Sequence, residues 1–520
     1  MKDKLTKYPV GIQSFEKIIS GGYLYVDKTA LIHELVETAP FVFLSRPRRF
    51  GKSLLVSTLQ AYFEGRRELF EGLAIASMEK DWEAYPVIRI DFAGSNFEEP
   101  GKLQNHLELT LSRYEQLYGS DPNEKDLPGR FSGLILRAAQ QTGRKVVVLV
   151  DEYDKPLLDC IDSGNLHERH RRELQGFYGV LKAYDEHIRF ALLTGVGKFG
   201  HVSVFSGLNN LTDISLIPKY NAICGISESE FRGGFAEPVA SFARENGMEE
   251  AEVWKEFKEN YDGYLFARKG EGIYNPFSVL NALSTGEIKP YWFRSGTPSM
   301  LVKILKNSDL PVFEIDGAQL TEEQLSDITD PRRNYPALLY QSGYLTIRGY
   351  DADYGRYRLG FPNREVSSGF WNSLYDQYIA PAPGNSDFDI YRFIDDVRAG
   401  NAEGFMRRLQ SLVASMSPGV ERHLEVHFQN ILEIVFKMLS LKVKTEVNVA
   451  RGRCDMVVET SDCVFVMEFK TDESPEVAIR QIREKGYALP YAGGSRRVVL
   501  IGAGFSTSAK TLESFVIEPL

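Results

Sequence analysis

The sequence lacks the features that would anchor the chain in a membrane or mark it as disulfide-stabilised. No apolar run approaches the ~18–20 residues that span a bilayer. The charged start of the chain has no apolar segment behind it, so no signal peptide is expected. Cysteine is scarce, with no CxxC pair and no metal-like spacing among Cys160, Cys224, Cys454 and Cys463. These absences predict a cytoplasmic protein without a membrane partner.

An excess of basic residues is also missing, since the formal net charge of the 520 residues is −10. This excludes a globally basic nucleic-acid binder but not a local basic site, because affinity depends on contacts at the phosphates. No internal repeat or low-complexity tract interrupts the chain. A hydrophobic content of 43% and a charged content of 25% indicate a globular protein, and the length predicts two to four domains.

The most informative stretch that is present is the run 46–53, Arg-Pro-Arg-Arg-Phe-Gly-Lys-Ser. It follows the strand-like apolar run 41–44 and precedes the helix-like run 54–63. A strand, a loop ending in Gly-Lys-Ser and a helix form the context of a phosphate-binding P-loop. The backbone N–H groups of such a loop and the helix N-terminus attract an anion.

Three residues at the end of this loop have expected roles. Gly51 allows the tight turn, Lys52 reaches the β- and γ-phosphates of ATP, and the Ser53 hydroxyl binds Mg²⁺. The loop departs from the usual pattern at Arg46, where a glycine is expected. The alternative is an ordinary helix start with Ser53 near the N-cap.

A second pattern supports the P-loop interpretation. The apolar run 146–150 leads into Asp151 and Glu152, and such a run predicts a strand buried in a parallel sheet. Acids at the carboxyl end of that strand lie where open α/β sheets bind ligands. We expect Asp151 to hold Mg²⁺ and Glu152 to orient or deprotonate water; an acidic strand exit without function is the alternative. Thr194, at the end of strand 188–194, is a candidate γ-phosphate sensor or a plain turn residue.

The spacing of apolar runs predicts an α/β multidomain protein with three parts. Strands are expected at 41–45, 86–92, 145–150 and 188–194, with helices between them such as 101–118 and 166–187. A capping box at Ser227–Glu230 opens a helix-rich stretch, and a helix followed by a hairpin around 335–361 predicts a winged-helix-like region. The expected domains are a P-loop NTPase parallel sheet, a helical and winged-helix-like middle, and a C-terminal α/β domain, at residues 1–230, 231–395 and 396–520.

A second chemical pattern lies in the C-terminal part. Glu468 and Lys470 are two residues apart on a predicted strand and share a face, and Asp455 on the partner strand can lie opposite them. Gln481 falls on the following predicted helix. Two carboxylates and a lysine suit Mg²⁺-assisted phosphodiester cleavage, with Asp455 and Glu468 as metal ligands. A surface ion pair across two strands is the alternative.

Both patterns resemble one architecture. The N-terminal two-thirds is similar to the bacterial AAA-ATPase-like family, and the last hundred residues resemble the PD-(D/E)XK nuclease superfamily, which has a restriction-endonuclease-like fold. The matching segments are Tyr25–Lys28, Arg46–Ser53, Asp151–Pro156 and Phe205–Asn210 for the first, and Gly452–Asp455, Glu468–Lys470 and Gln481 for the second.

The resemblance implies site residues beyond those read from the pattern. A helical glutamate is expected to complete the nuclease metal site, with Glu425 as the best match and Glu421 and Glu433 as alternatives. The sequence itself places Arg46, Arg48 and Arg49 in the nucleotide-binding loop. It does not identify an arginine finger, since any of the three could act within the chain or a neighbouring chain could supply one.

The resulting hypothesis is an ATP-dependent nuclease that acts on DNA, in defence against mobile elements, with ATP and Mg²⁺ as cofactors. The rivals are a regulatory ATPase and a signalling switch, in which the nuclease-like domain binds nucleic acid or a partner without cutting. An oligomer is compatible with either view.

Overall fold

The computed structural model describes residues 7–161, 163–198, 210–295, 315–326, 334–378, 390–415, 434–435, 444–445, 454–509 and 511–520. The chain divides into two compact units, Met1–Thr297 with Asp316–Ser367 and Pro298–Ile315 with Ser368–Leu520. The winged-helix-like region thus belongs to the first unit. The three-domain division at residues 230 and 395 stays a prediction. Along the described ranges, no helix has both the length and the apolar character needed to cross a membrane.

A five-stranded sheet forms the centre of the first unit, and all its strand pairs are parallel, in the order β2-β3-β4-β1-β5. All six residues of β3 are buried, because the strand carries an unbroken apolar run and both of its neighbours are strands. The strands are β1 (Phe41–Ser45), β2 (Val87–Asp91), β3 (Val146–Asp151), β4 (Ile188–Gly195) and β5 (Thr212–Asp213).

Helices cover the sheet and bury an apolar core with it. The core includes an offset aromatic stack of Phe131 on Phe177, with ring centroids 4.5 Å apart. The helices of this part are α1 (Phe15–Ser20), α2 (Thr29–Thr38), α3 (Lys52–Phe63), α4 (Ile75–Met78), α5 (Lys102–Tyr118), α6 (Leu127–Thr142), α7 (Lys155–Leu158) and α8 (Gly164–Ala183). Short 3₁₀ turns lie at Arg67–Phe70, Asp185–His187 and Pro218–Tyr220.

The rest of the first unit is helical and ends in a small sheet. Ser227 and Glu230 form the predicted capping box, since each side chain accepts from the other's backbone N–H. The helices are Glu228–Gly234, Ala236–Asn246, Glu250–Tyr261, Pro276–Thr285, Tyr291–Ser295, Glu322–Ser326 and Tyr335–Ser342. The strands are β6 (Ile226–Ser227), β7 (Ile273–Tyr274), β8 (Gln319–Thr321), β9 (Thr346–Asp351) and β10 (Arg356–Gly360). The helix Tyr335–Ser342 followed by the β9–β10 hairpin confirms the winged-helix-like arrangement.

The second unit contains a mixed five-stranded sheet in the order β11-β12-β13-β14-β15. Strands β12 and β13 form the predicted antiparallel hairpin, and β13 pairs parallel with β14 through the crossover helix Pro475–Lys485. The strands are β11 (Lys444–Thr445), β12 (Met456–Glu459), β13 (Cys463–Thr471), β14 (Arg497–Ser506) and β15 (Thr511–Pro519). The other helical segments are Arg364–Tyr378, which runs across the boundary between the units, Ile390–Arg398, Ala402–Ser415 and the 3₁₀ turn Leu489–Tyr491. The α/β multidomain class is confirmed.

Candidate functional site

The loop between β1 and α3 has the backbone shape that an anion-binding loop needs. Gly51 has φ +96°, which glycine adopts without strain, and α3 begins at the next residue. Arg49 has φ +69°, an uncommon value for a residue with a side chain. Strain of this kind costs about 1–3 kcal/mol per residue and is concentrated at functional sites. The loop therefore opens onto the N-terminus of α3, where backbone N–H groups attract phosphate.

Lys52 lies inside this loop and is only 6% exposed. Its ammonium donates to the carbonyl oxygens of Arg46 and Pro47, at 2.8 and 3.1 Å. Burial lowers the pKa of Lys52, and the negative charges of Asp151 and Glu152 act in the opposite direction. The cation is thus held in the loop, where a bound phosphate would meet it.

Asp151, the last residue of β3, brings to the same site a carboxylate with only one hydrogen-bonded oxygen. Asp151 is fully buried, and its Oδ1 accepts a hydrogen bond from the Thr194 hydroxyl at 2.7 Å. Its Oδ2 is buried without a hydrogen-bond partner. Such an atom costs about 1–3 kcal/mol unless a cation or water compensates it. Hard oxygen ligands suit Mg²⁺, so Asp151 and the half-buried Ser53 fit the predicted metal position.

Glu152 follows with a left-handed backbone, φ +55°. Burial raises the pKa of its carboxyl group, while the positive charges of Lys52 and Arg48 lower it. A carboxylate whose pKa is raised by burial has a property expected of a general base. Of the four non-glycine residues with positive φ in the described ranges, Arg49 and Glu152 both belong to this site.

Sequence reasoning missed two further acids at this edge of the sheet. Asp91 ends β2 and pairs in register with Asp151, where it also raises the pKa of Glu152. Asp154 is fully buried, accepts from two backbone N–H groups after β4, and has its pKa raised to about 6 by burial. The sequence contains features that could have identified both acids. Asp91 also ends an apolar strand, and Asp154 lies in the same acidic run as Asp151.

Arg46 supports the loop from within the protein. It is 1% exposed, donates to the carbonyl oxygens of Ser215 and Tyr220 at 2.9 Å each, and lies 4.3 Å above the ring of Phe266. A glycine at this position could make none of these contacts. The predicted contact of Arg46 with nucleotide stays a prediction. In this geometry its two terminal nitrogens donate within the protein, while its buried Nε has no hydrogen-bond partner among the described residues.

The rest of the loop packs against the helical and winged-helix-like part of the first unit. The Trp292 indole donates to the carbonyl oxygen of Arg48 at 2.9 Å, and Phe50 packs edge-on against Tyr264 at 4.7 Å. A Cβ on Gly343, which ends the helix Tyr335–Ser342, would lie 2.6 Å from the side chain of Pro47. The loop is therefore held by residues far from it in sequence, such as Trp292, which lies 244 positions after Arg48.

In the second unit, the residues predicted to form the nuclease-like site also lie close together. Asp455 precedes β12 and lies beside β13, where its carboxylate accepts from the Phe469 N–H at 2.9 Å. Glu468 is 2% exposed and accepts from the Asp455 N–H at 3.4 Å and from the Lys470 ammonium at 3.1 Å. Burial and the negative charge of Asp455 raise the pKa of Glu468. Two adjacent carboxylates with a lysine can hold a divalent cation and stabilise charge on a phosphate.

Gln481 donates to the Glu468 carboxylate, as its predicted position on the following helix requires. Glycines in β14 permit this contact: Gly502 pairs with Glu468 and Gly504 with Lys470. A Cβ on Gly502 would lie 2.3 Å from the Pro475 carbonyl oxygen, and one on Gly504 would lie 2.8 Å from that of Glu473. The helix Pro475–Lys485 can therefore approach the sheet closely at this point.

The third acid of this site, predicted as Glu425, lies outside the described residues, as do the alternatives Glu421 and Glu433. Within the described ranges, no group of three or more His, Cys, Asp or Glu side chains could hold a metal ion. A metal site here consequently needs a ligand from another part of the chain, from the substrate or from water.

Comparison with known proteins finds a family match for each of the two parts of the chain that carry a candidate site. Residues 9–205 match the family model described as "Predicted AAA-ATPase", and residues 423–515 match that of the PD-(D/E)XK nuclease superfamily. A protein from Azotobacter chroococcum mcd 1, described as "Uncharacterized protein in vnfD 5'region", is 36% identical over 526 residues, covering 99% of both chains. The chain belongs to the family of proteins that join an AAA-ATPase-like domain to a PD-(D/E)XK nuclease superfamily domain.

Proposed function

We propose that this protein binds and hydrolyses ATP with Mg²⁺ in its first unit and cuts DNA with Mg²⁺ in its second. The observation that carries the ATP half is the meeting of Lys52, Asp151 and Glu152 at one edge of the sheet, with one buried carboxylate oxygen unpaired. Mg²⁺ would neutralise charge on the phosphates when bound. Lys52 would bind the β- and γ-phosphates, Asp151 and Ser53 would hold the cation, and Thr194 would keep Asp151 in place.

The test of the ATP half is nucleotide binding by calorimetry, together with phosphate release, in wild type and in Lys52→Ala. Binding should be lost in the variant, because the loop loses the cation that faces the phosphates. Lys102→Ala removes an exposed lysine of the same unit and should bind ATP as wild type does. Lys52→Met, which keeps the apolar stem, and a melting curve for each variant separate lost binding from unfolding. Wild-type affinity in both Lys52 variants would refute the proposal.

The DNA half rests on Asp455, Glu468, Lys470 and Gln481, which are in mutual contact through Glu468. The rival is a domain that binds nucleic acid without cutting it. Nicking of plasmid DNA in Mg²⁺ and Mn²⁺, with and without ATP, distinguishes the two. Cleavage supports the nuclease, and retention of DNA without cleavage supports the rival.

For the biological role we propose defence against mobile genetic elements, because a DNA-cutting domain joined to an ATPase needs control by an external signal. Plasmid transformation into cells that carry wild type or Glu468→Ala tests this role. Transformation should be reduced by wild type alone. Equal efficiency in both strains would refute the role while leaving the two activities intact.

A further inference from the structure

The segment that follows β4 is bound to the acidic edge of the ATP site. Near the end of β4, the Thr194 hydroxyl donates to Asp151. Two residues later, the N–H groups of Val196 and Gly197 both donate to Oδ2 of Asp154, at 2.9 and 2.8 Å. Asp154 is buried and follows Asp151 by three positions. A displacement of residues 196–197 would therefore disturb hydrogen bonds at the ends of both β3 and β4.

Lys198, the next residue, binds a different part of the first unit. Its ammonium forms an ion pair with Asp213, the last residue of β5, at 2.6 Å and donates to the Ser326 hydroxyl at 3.1 Å. Its backbone N–H donates to the side-chain oxygen of Gln341, in the helix Tyr335–Ser342. The helix that ends at Ser326 directly follows β8, which lies in the same small sheet as the β9–β10 hairpin. Both contacts therefore reach the winged-helix-like region.

Gln341 is fixed at both ends of its side-chain amide. It is 5% exposed, its oxygen accepts from the Lys198 N–H, and its nitrogen donates to the carbonyl oxygen of Leu325. Only one orientation of the amide satisfies both partners, because one needs an acceptor and the other a donor. A buried polar group left without its partner costs about 1–3 kcal/mol. Gln341 therefore holds the backbone of Lys198 against the winged-helix-like region.

Little space remains around this contact. A cavity of only about 20 Å³ lies where the loop 46–53, the segment after β4 and the winged-helix-like region meet. The residues that line it include Arg46, Pro47, Lys198, Phe266, Tyr340 and Gln341. Such a volume holds about one water molecule. A shift of the helix Tyr335–Ser342 would therefore move its neighbours, because closely packed side chains transmit displacement.

We propose that Gln341 is a positioning residue for ATP hydrolysis, because it binds the Lys198 N–H and so fixes the segment after β4. Thr194 and Asp154 then keep the arrangement that the reaction needs. This inference rests on the proposed ATPase activity. The side chain of Gln341 binds the segment after β4, whereas Lys52 is held by carbonyl oxygens of its own loop. Loss of Gln341 should therefore slow the reaction without weakening nucleotide binding.

The experiment measures ATP turnover in full-length wild type, Gln341→Leu, Gln341→Glu and Gln319→Leu. Gln341→Leu removes both hydrogen bonds and should lower kcat by about 10²-fold, the effect of a displacement of about 1 Å at a reacting group. The KM for ATP and the affinity for ADP should stay within about threefold of wild type, given that a factor of three is less than 1 kcal/mol. Gln341→Glu keeps an oxygen for the Lys198 N–H, so it should recover part of kcat. Gln319→Leu makes the same change at an exposed position of β8 and should leave turnover unchanged.

The separation of kcat from ADP affinity, with partial recovery in Gln341→Glu, is a result that a merely structural role would not give. Melting curves show which variants are folded. If Gln341→Leu does not fold, Ser326→Ala decides instead, since it removes only the hydroxyl that binds the Lys198 ammonium and should lower kcat several-fold.

An unchanged kcat in the folded variant, with active wild type, would overturn the role of Gln341 and leave the proposed function standing. An equal fall in ADP affinity would also overturn it, because Gln341 would then support the whole nucleotide-binding loop. Equal kcat in Gln341→Glu and Gln341→Leu would show that the hydrogen bond to Lys198 is not what matters. A wild type that neither binds nor hydrolyses ATP would overturn the proposed function as well.

Discussion

The two candidate sites differ in the sequence separation of the residues that form them. The nuclease-like site is assembled from residues 455–481, which form a hairpin and the helix that follows it. The ATP site joins the loop 46–53 to the ends of β3 and β4, and its loop is held by Ser215, Tyr220 and Trp292. A local site can be recognised from spacing alone. A site built from distant segments depends on packing that no short pattern records.

This contrast predicts that a substitution can inactivate one site without inactivating the other. The largest loss of activity is expected at the nuclease-like site. Glu468→Ala should abolish metal-dependent nicking, because Glu468 is the acceptor shared by Asp455, Lys470 and Gln481. ATP hydrolysis should persist in the same preparation. Plasmid cleavage in Mg²⁺ and Mn²⁺ measures the first and phosphate release the second.

Glu459→Gln is the matched control for this variant. Glu459 lies at the far end of β12 and forms an ion pair with Arg496 at 2.7 Å, so its loss leaves the Glu468 cluster intact. Cleavage should therefore be unchanged in Glu459→Gln. Equal cleavage by wild type and Glu468→Ala would remove the nuclease assignment and leave the binding-only rival.

The second largest loss of activity is expected at the ATP site. Glu152→Gln should retain ATP but slow hydrolysis by about 10²–10⁴-fold, the contribution of a positioned general base. Asp151→Asn should instead weaken binding of Mg·ATP, because it changes the carboxylate with the unpaired Oδ2. Glu37→Gln, an exposed carboxylate on α2, is the control for general charge effects. A wild-type turnover number in Glu152→Gln would exclude it from the reaction.

A smaller effect should appear in the pH dependence of stability in the first unit. Glu365 accepts from Ser278 and from the backbone N–H of Trp292, and burial raises its pKa from 4.5 to about 7. Because the folded-state pKa lies above the unfolded value, the native state binds the proton more tightly. The stability that this proton confers is complete below pH 4.5 and is lost as pH rises to 7, by about 3 kcal/mol.

Glu365→Gln should reduce this pH dependence and leave the part that Asp154 contributes, since glutamine does not ionise. Its amide oxygen can still accept from the Trp292 N–H, and its amide N–H can donate to the Ser278 hydroxyl. Thermal unfolding of the full chain at pH 5 and pH 8 measures it. Glu287→Gln, which changes an exposed glutamate, should keep the wild-type slope. If wild type shows no loss of stability between these pH values, or if Glu365→Gln loses as much stability as wild type does, the assigned role of Glu365 is wrong.

The local parts of the fold were predictable and the long-range contacts were not. The strand expected at 41–45 has the observed bounds of β1, and the capping box at Ser227 forms as its sequence requires. The proximity of Asp455 and Glu468 was predictable from the hairpin. Side chains alternate between the two faces of each strand, so residues opposite one another on the two strands share a face. The environment of Arg46 was not predictable, since its acceptors Ser215 and Tyr220 lie about 170 residues away and are backbone atoms. Glu425 and its alternatives lie outside the described residues, so that prediction stays open.

The smallest expected effect is the salt dependence of DNA binding by the nuclease-like site. Residues 420–520 carry 13 Lys and Arg against 14 Asp and Glu, a net charge of −1. Two of these arginines are already paired, Arg483 with Glu518 and Arg496 with Glu459, at 2.7 Å each. Few cations are then left for the DNA backbone. Each phosphate contact on duplex DNA contributes about 0.9 to the slope of log affinity against log salt concentration.

We therefore expect a slope of about 2 to 4, corresponding to a few phosphate contacts. The measurement is a titration of duplex DNA with the full-length Glu468→Ala variant at several salt concentrations, so that cleavage does not interfere. A slope of about 10 would mean that a broad basic surface, not the immediate surroundings of Glu468, holds the DNA. The comparison between the two sites would then change, because the nuclease-like site would also depend on residues far from it in sequence.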